Sequence, residues 1–412
     1  MPHKKQLIIE WNGQLRSGQK KLAHSMRTRI FQRLPAFYSK LDEVNDAVFL
    51  EPLLFAYFDG LLPDSIRLEQ LLVGSIVHAG SSEHLPVFSD ENGVIYLPAL
   101  GYLMTGLGQE EFTLIWDKDL QCLELKHGGQ PAVFDFELPY YARGTAIEIT
   151  SVIYAPWQPF FEEEMRKGSQ GFSNIPEPVF PSQETMLQNW IPQMESVFDL
   201  LGRCCPAYLE EIMSVIRRIV IFESKNLPSF SPQGLNGCVF LNCTEAVSEV
   251  SIISGLSVYT TQLQFYLLKL ENDPFFRLKP DQACINEYSR DSKKNFAFFR
   301  DMEELFISSK QAEVLESCYS SKFFSGAMRH EFAGRLAHNR HNYQTEIDTL
   351  AQENILTDKG IEFYREMIIQ RAEIYASLED KLVGIRVQNQ PRVFNWKLFK
   401  KENPVPELFQ YA

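Results

Sequence analysis

Histidine is scarce in this 412-residue chain, which has eight, yet His330, His338 and His341 fall close together with Glu331 beside the first of them. On a helix, at about 100° per residue, His341 stands about 20° round from His330, His338 about 80° and Glu331 about 100°. One face therefore carries imidazoles and a carboxylate, groups that can hold a transition metal or move protons. A rise of about 1.5 Å per residue puts His330 and His341 about 16 Å apart, too far for one ion. His338 and His341, with Glu331 nearby, form at most half a metal site that other residues must complete. Arg335, Asn339 and Arg340 on the same stretch equally suit a polar helix surface, an anion contact or an intersubunit contact.

Other reactive residue types are less informative. Glu245 and Glu249 are four apart and can face one cleft, but no histidine lies near them. Asp301, Glu303 and Glu304 fall at the start of an expected helix, where the macrodipole gives acids a structural reason to be. Cys204 and Cys205 are adjacent; they are reactive only if exposed, and free cysteine is more often buried. The seven cysteines are odd in number and scattered, which gives neither a disulfide framework nor the repeated CxxC of a structural zinc site. GxxxxGK[ST], a strand-borne GxGxxG and GxSxG are all missing, so P-loop, dinucleotide-binding and serine-hydrolase classes lose support.

The elements that must position these residues are mostly helical. Leu22–Leu41 reads as a basic helix with Met26, Ile30, Leu34 and Phe37 at helical spacing, interrupted at Pro35. Helices are expected again after Pro63-Asp64-Ser65, over Gln183–Leu201 and Tyr208–Phe222, from a start at either Thr244-Glu245 or Ser248 to Leu270, and at 297–318, 325–351 and 357–383, the last capped by Thr357-Asp358. Between residues 86 and 160 the texture changes to short β-branched and aromatic runs, including Val94–Leu97, Phe112–Trp116, Gln121–Leu125 and Ala146–Tyr154, with a hairpin turn near Asp117–Leu120. Cys238–Leu241 suits an edge strand. The fold class is thus α+β, mainly α-helical, with a small antiparallel β region near residues 86–160. The division along the chain is a basic helical region at 1–85, the β-rich subdomain at 86–160, a Pro- and Gly-bearing linker or loop at 161–181, a helical domain at 182–390 and a tail at 391–412. No fixed-period repeat stands out.

Composition bounds the function. At 45% hydrophobic and 13% aromatic, with 31 Phe, the chain has the makings of a large ordered core. No apolar run is long enough for a membrane helix and the start lacks a secretory signal, so a cytoplasmic protein with no membrane partner is expected. The net charge of -13 is uneven: residues 1–40 hold nine Lys or Arg against Glu10 alone, leaving +8 there and -21 beyond. That basic segment can dock on the acidic body or bind an acidic partner, with homo- or hetero-oligomers open. The acidic body disfavours nucleic acid.

One stretch carries a family texture. Ser231-Pro232-Gln233-Gly234-Leu235-Asn236-Gly237-Cys238-Val239-Phe240-Leu241 leads to Leu256-Ser257-Val258-Tyr259-Thr260-Thr261-Gln262-Leu263-Gln264-Phe265-Tyr266-Leu267-Leu268, and then to Glu271-Asn272-Asp273-Pro274-Phe275-Phe276. This order resembles the HExxH-motif proteins associated with modification of ribosomally made peptides, whose active members look like iron and 2-oxoglutarate dependent peptide β-hydroxylases. Leu356-Thr357-Asp358-Lys359-Gly360 resembles the family's late LTxxG element, and the likeness spans about residues 180–385. Residue by residue, the motif's first His falls on Thr260, its Glu on Thr261 and its second His on Gln264; no histidine stands between His127 and His330. Two imidazoles one turn apart are what such a site needs, and Thr and Gln replace them poorly. The resemblance implies a non-catalytic or accessory relative, without a cofactor, that binds a peptide or completes a partner in a peptide or natural-product maturation pathway. Tyr259, Thr260, Thr261 and Gln264 would then line its groove. The alternatives are an active metal-dependent oxygenase or hydroxylase, with iron and 2-oxoglutarate at a site displaced to His338, His341 and Glu331, and an unrelated helical interaction protein.

Overall fold

The computed structural model describes residues 2–77, 83–117, 122–152, 154–168, 179–225, 227–244, 247–270, 275–277, 292–324, 326–342 and 356–404. The chain forms two compact units that interleave along the sequence. A helical unit takes Met1–Gly18, Gln193–Val215 and Val247–Ala412, and a sheet-bearing unit takes Gln19–Pro192 and Ile216–Ala246. The units therefore do not follow the sequential divisions expected above. Residues 216–246 lie inside the expected helical domain yet supply strands to the other unit. The α+β character, mainly helical with smaller sheets, is as expected. No helix among the described residues is long and apolar enough to cross a membrane.

Among its described residues the sheet-bearing unit holds three small sheets. Strands β1 (Glu83–Phe88), β2 (Val94–Leu97), β3 (Gly101–Met104), β4 (Glu111–Asp117), β5 (Cys122–His127), β6 (Gln130–Pro131) and β7 (Asp135–Glu137) form two antiparallel sheets, in the orders β1-β4-β5-β6 and β2-β3-β7. The third sheet adds β8 (Tyr140–Tyr141), β9 (Glu148–Thr150), β10 (Arg218–Phe222) and β11 (Cys238–Asn242) in the order β11-β10-β9-β8. Here β10 pairs parallel with both β9 and β11, so this sheet is mixed rather than antiparallel, and β11 is the edge strand the sequence suggested. The expected helix over Tyr208–Phe222 stops at Val215 and the chain continues into β10. Ile212, Ile216 and Ile219 match a helical spacing, but the apolar run Ile219-Val220-Ile221-Phe222 suits a strand buried on both faces, and every residue of β10 is buried. The Glu162-Glu163-Glu164 run sits on the Gln158–Gly168 helix, not in a loop; residues 169–178 of the expected linker, and residues 118–120 of the expected hairpin turn, lie outside the described residues.

In the helical unit, long helices run over Ile191–Cys204, Pro206–Val215, Glu249–Lys269, Ser292–Ser320, Gly326–Asn342 and Asp358–Leu382. Ser248 caps the third, accepting the Ser251 N–H at 3.0 Å, and Thr357 caps the last, accepting the Gly360 N–H at 3.0 Å. Phe265, Phe275, Phe276, Phe306 and Phe363 share one core with Leu268, Leu305 and Met302, and the Phe275 and Phe363 rings stack at 4.4 Å. Two glycines permit close approach. A Cβ at Gly18 would lie 2.6 Å from the Leu267 carbonyl, and one at Gly360 would lie 2.0 Å from the Phe275 carbonyl, which accepts the Thr357 N–H. An isolated bridge between Phe276 and Leu356 ties the same two stretches.

Candidate functional site

In the helical unit, the Glu249–Lys269 helix carries Tyr259, Thr260, Thr261 and Gln264, the expected groove-lining residues. Thr260, Thr261 and Gln264 are each completely buried there, so they line no open groove; Tyr259 is half-buried. Each buried group meets its own unit. Thr261 Oγ1 donates back to the Ser257 carbonyl at 2.7 Å. Gln264 Nε2 donates to Glu211 Oε2 at 2.8 Å, and the other oxygen of that carboxylate accepts from Lys310 Nζ at 3.2 Å. Lys310 also pairs with Glu313 at 3.5 Å, and Glu313 accepts from Gln370 at 2.9 Å. Burial works against the Lys310 charge, but Glu313 and Glu211 outweigh it and hold the ammonium above its ordinary range. Gln264 is thus part of a chain of polar contacts joining four helices. Thr260 Oγ1 neighbours the Tyr208 hydroxyl but forms no well-directed hydrogen bond among the described residues, and Gln264 Oε1 likewise has no donor.

The histidine face does not assemble. His330 Nε2 is 2.9 Å from the Asn403 carbonyl and His338 Nε2 is 2.9 Å from the Pro391 carbonyl, so each pins the carboxy-terminal stretch. Glu331, fully enclosed, accepts two hydrogen bonds from Arg335 at 2.8 and 2.9 Å, while His341 is exposed. Burial pushes the His338 imidazole down, with Arg335 and His341 adding to it against the Pro391 contact. Among the described residues no three His, Cys, Asp or Glu side chains are grouped to hold a metal, so His338, His341 and Glu331 do not form such a group by themselves. Physically, each of these side chains except His341 is spent on a neighbour within reach of its own helix or tail.

The remaining candidates are also engaged. Cys205 is buried with its Sγ 3.8 Å from that of Cys318, and Cys204 Sγ donates to Ser321 Oγ at 3.3 Å. Glu249 stands in the first turn behind the Ser248 cap, and Glu304 accepts from Arg392 at 2.8 Å. Burial, and to a lesser degree Glu304, push the Glu303 carboxyl up against the pull of Lys269. Glu245 and the Asp301 side chain lie outside the described residues. Part of the basic amino-terminal segment docks within the sheet-bearing unit: Arg27 pairs with Asp46 and lies 4.6 Å from the Phe49 ring centroid, and Arg29 pairs with Asp59 at 3.6 Å.

The sheet-bearing unit contains an arrangement the sequence did not single out. Arg218, 2% exposed in the central strand β10, stands in register with Glu148 of β9. Its Nε donates to Glu148 Oε2 at 3.1 Å, its Nη1 and Nη2 donate to the two Glu51 oxygens at 3.0 and 3.2 Å, and Nη2 also donates to the Tyr96 hydroxyl. Tyr96 and Tyr102 each donate to Glu148, at 2.9 and 2.7 Å, with their rings stacked at 4.5 Å. Burial opposes the guanidinium charge, but Glu148 and Glu51 hold it well above its ordinary value. The cue in the sequence was slight: Glu148 falls within the run Ala146-Ile147-Glu148-Ile149, and Arg218 directly precedes Ile219-Val220-Ile221-Phe222.

Beside this cluster lies the candidate site. Cross-strand partners project from one face of an antiparallel pair. The register sets Tyr96 opposite Tyr102 and Tyr102 opposite Glu137, so the three form a row, with Val94 and Met104 on the same face two residues along. Glu137 ends that row half-buried, and its carboxylate has no hydrogen bond or ion pair among the described residues. It lines two cavities. One, of about 340 Å³, is walled by Val94, Met104, Val152, Phe180 and Pro181; the other, of about 160 Å³, by Tyr102, Pro139, Ile149, Met186 and Ile191. Burial, and then the charge of Glu148, push the Glu137 carboxyl up.

Neither comparison with known proteins assigns a family. No protein-family model matches the chain, and no curated protein matches it. The chemistry must therefore be read from these residues.

Proposed function

We propose that the protein is a non-catalytic accessory or binding component of a cytoplasmic peptide or natural-product maturation pathway, which holds a peptide or completes a partner. The observation that supports this most directly is the fate of Gln264. At the position of a motif histidine it serves Glu211, and through it Lys310, as an internal strut. The helix that resembles a metal-binding helix thus acts as a structural support, and recognition falls to the sheet-bearing unit, where Glu137 faces two cavities.

Metal analysis of the purified protein, together with peptide titration, tests the reading. The expected result is peptide or partner binding that is indifferent to chelator and to His338→Ala and His341→Ala. Stoichiometric iron that both substitutions remove, accompanied by 2-oxoglutarate turnover, would overturn it in favour of an oxygenase.

A further inference from the structure

We propose that the paired cavities at Glu137 are a recognition site for a protonated amine carried on an apolar stem, which in a peptide is a lysine side chain; the peptide form of the proposal rests on the peptide-holding reading above. Three observations converge on this chemistry.

The first is the charge ledger. Glu148 and Glu51 are both met by Arg218, and Arg217 adds its attraction to Glu51, whereas Glu137 faces the same cluster with no countercharge of its own. A half-buried carboxylate left in that state is costly, and a cation brought to it recovers the cost through a charge-assisted hydrogen bond. No Lys, Arg or His is among the described residues that line either cavity. An anionic ligand would meet repulsion from both Glu137 and Glu148, while the -13 chain draws cations toward it.

The second is the shape of the walls. Val94, Met104, Val152 and Pro181 give the larger cavity an apolar flank that suits a methylene chain, and 340 Å³ lies in the range of sites for small ligands. The third is availability. Ser151 Oγ, the polar group nearest in chain position on β9's exit, is already committed to the Pro181 carbonyl at 2.9 Å, and Ser182 Oγ lies 3.0 Å from Thr185 Oγ1. The carboxylate is left as the strong acceptor of the site.

The test uses the full chain and two simple probes, n-butylammonium and n-butanol, with binding read by saturation-transfer NMR. The amine is expected to bind about tenfold more tightly than the alcohol, and Glu137→Gln to erase that preference while the alcohol is unaffected. Met104→Trp, which fills the larger cavity without touching the charge, is expected to exclude both probes and serves as a second variant. Equal binding of amine and alcohol, or an amine preference that survives Glu137→Gln, overturns the proposal. A parallel titration compares a lysine-containing tetrapeptide with its norleucine counterpart. If the amine depends on Glu137 but neither peptide binds, the amine site stands and the peptide-holding reading falls.

Discussion

The two compact units treat their buried charge in different ways. In the helical unit Gln264 is drawn into a chain of contacts through Glu211, Lys310, Glu313 and Gln370 that ends on that unit's own helices. In the sheet-bearing unit the Arg218 cluster is just as closed, but the row of side chains that feeds it runs on to Glu137, which is left facing cavities. Among the described residues, neutral atoms without a partner occur on the helical side too, at Thr260 Oγ1 and Gln264 Oε1, but both are sealed in the interior. Glu137 differs because its unpaired group is a carboxylate and lines cavities a ligand can enter.

Removing Arg218 should break the comparison most forcefully. Arg218→Met leaves Glu51 and Glu148 buried without their cation, and a loss of about 3–5 kcal/mol in denaturant unfolding is expected. Adding Glu51→Gln and Glu148→Gln to the same chain should recover much of it, as buried ion pairs often yield to neutral replacements. A triple variant as unstable as the single one would mean that packing, not charge, sets the cost.

A smaller effect is expected at Lys310, whose side chain is 22% exposed. Lys310→Met should cost about 1–3 kcal/mol by leaving Glu211 short of a donor. Because the folded protein holds this ammonium above the ordinary lysine value of 10.5, the pair's contribution is fully present below that pH and is lost as pH rises through the folded value. The deficit of the variant should therefore be constant from pH 6 to 9, on the order of a biochemist's usual range, and shrink only in strong alkali. A deficit that varied across neutral pH would assign the effect to another group.

His338 sharpens the helical side of the comparison. Its imidazole is held below the ordinary histidine value of 6.5, chiefly by burial, so protonation favours the unfolded chain. Stability should fall as pH drops below about 6.5, by less than the Lys310 effect, and His338→Gln should flatten that dependence. Equal acid profiles for the two proteins would show that the imidazole is not the group responsible.

The mildest outcomes belong to the sheet-bearing unit. Glu137→Gln should melt at the same temperature as the native chain at neutral pH or slightly higher, because the folded state raises this carboxyl and its ionised form gains nothing from folding. A clear loss of stability would make Glu137 a structural residue and remove the reason to place a ligand there. Burial pushes the Cys238 thiol up to about 12, so iodoacetamide at pH 8 should leave it unlabelled in the folded protein and label it after denaturation.

Much of the fold was legible because period and capping agree. Thr357 and Ser248 cap the helices that follow them, and Val94–Leu97 is a strand with the residues its texture indicated. The strand at Arg218–Phe222 was hidden because its apolar residues also fit a helical stripe, and only pairing with β9 and β11 distinguishes the two. The candidate site was less legible still. Tyr96, Tyr102 and Glu137 become a row through cross-strand register, and Glu51 reaches Arg218 from a distant helix cap, neither of which any local spacing records. The histidine cluster misled for the converse reason: its spacing shares a face, but the carbonyls of Pro391 and Asn403, far along the chain, claim two of its rings.

The contact between Gly360 and Phe275 binds the loop after the motif helix to the first turn of the late helix so closely that a single methyl group at 360 would strike the carbonyl at 275. A change on one side is felt directly on the other, so the two stretches must fit as a pair. The Leu-Thr-x-x-Gly pattern at Leu356–Gly360 therefore has a mechanical reason of its own, independent of any chemistry. It records how the chain is wired, and it is silent about what the chain does.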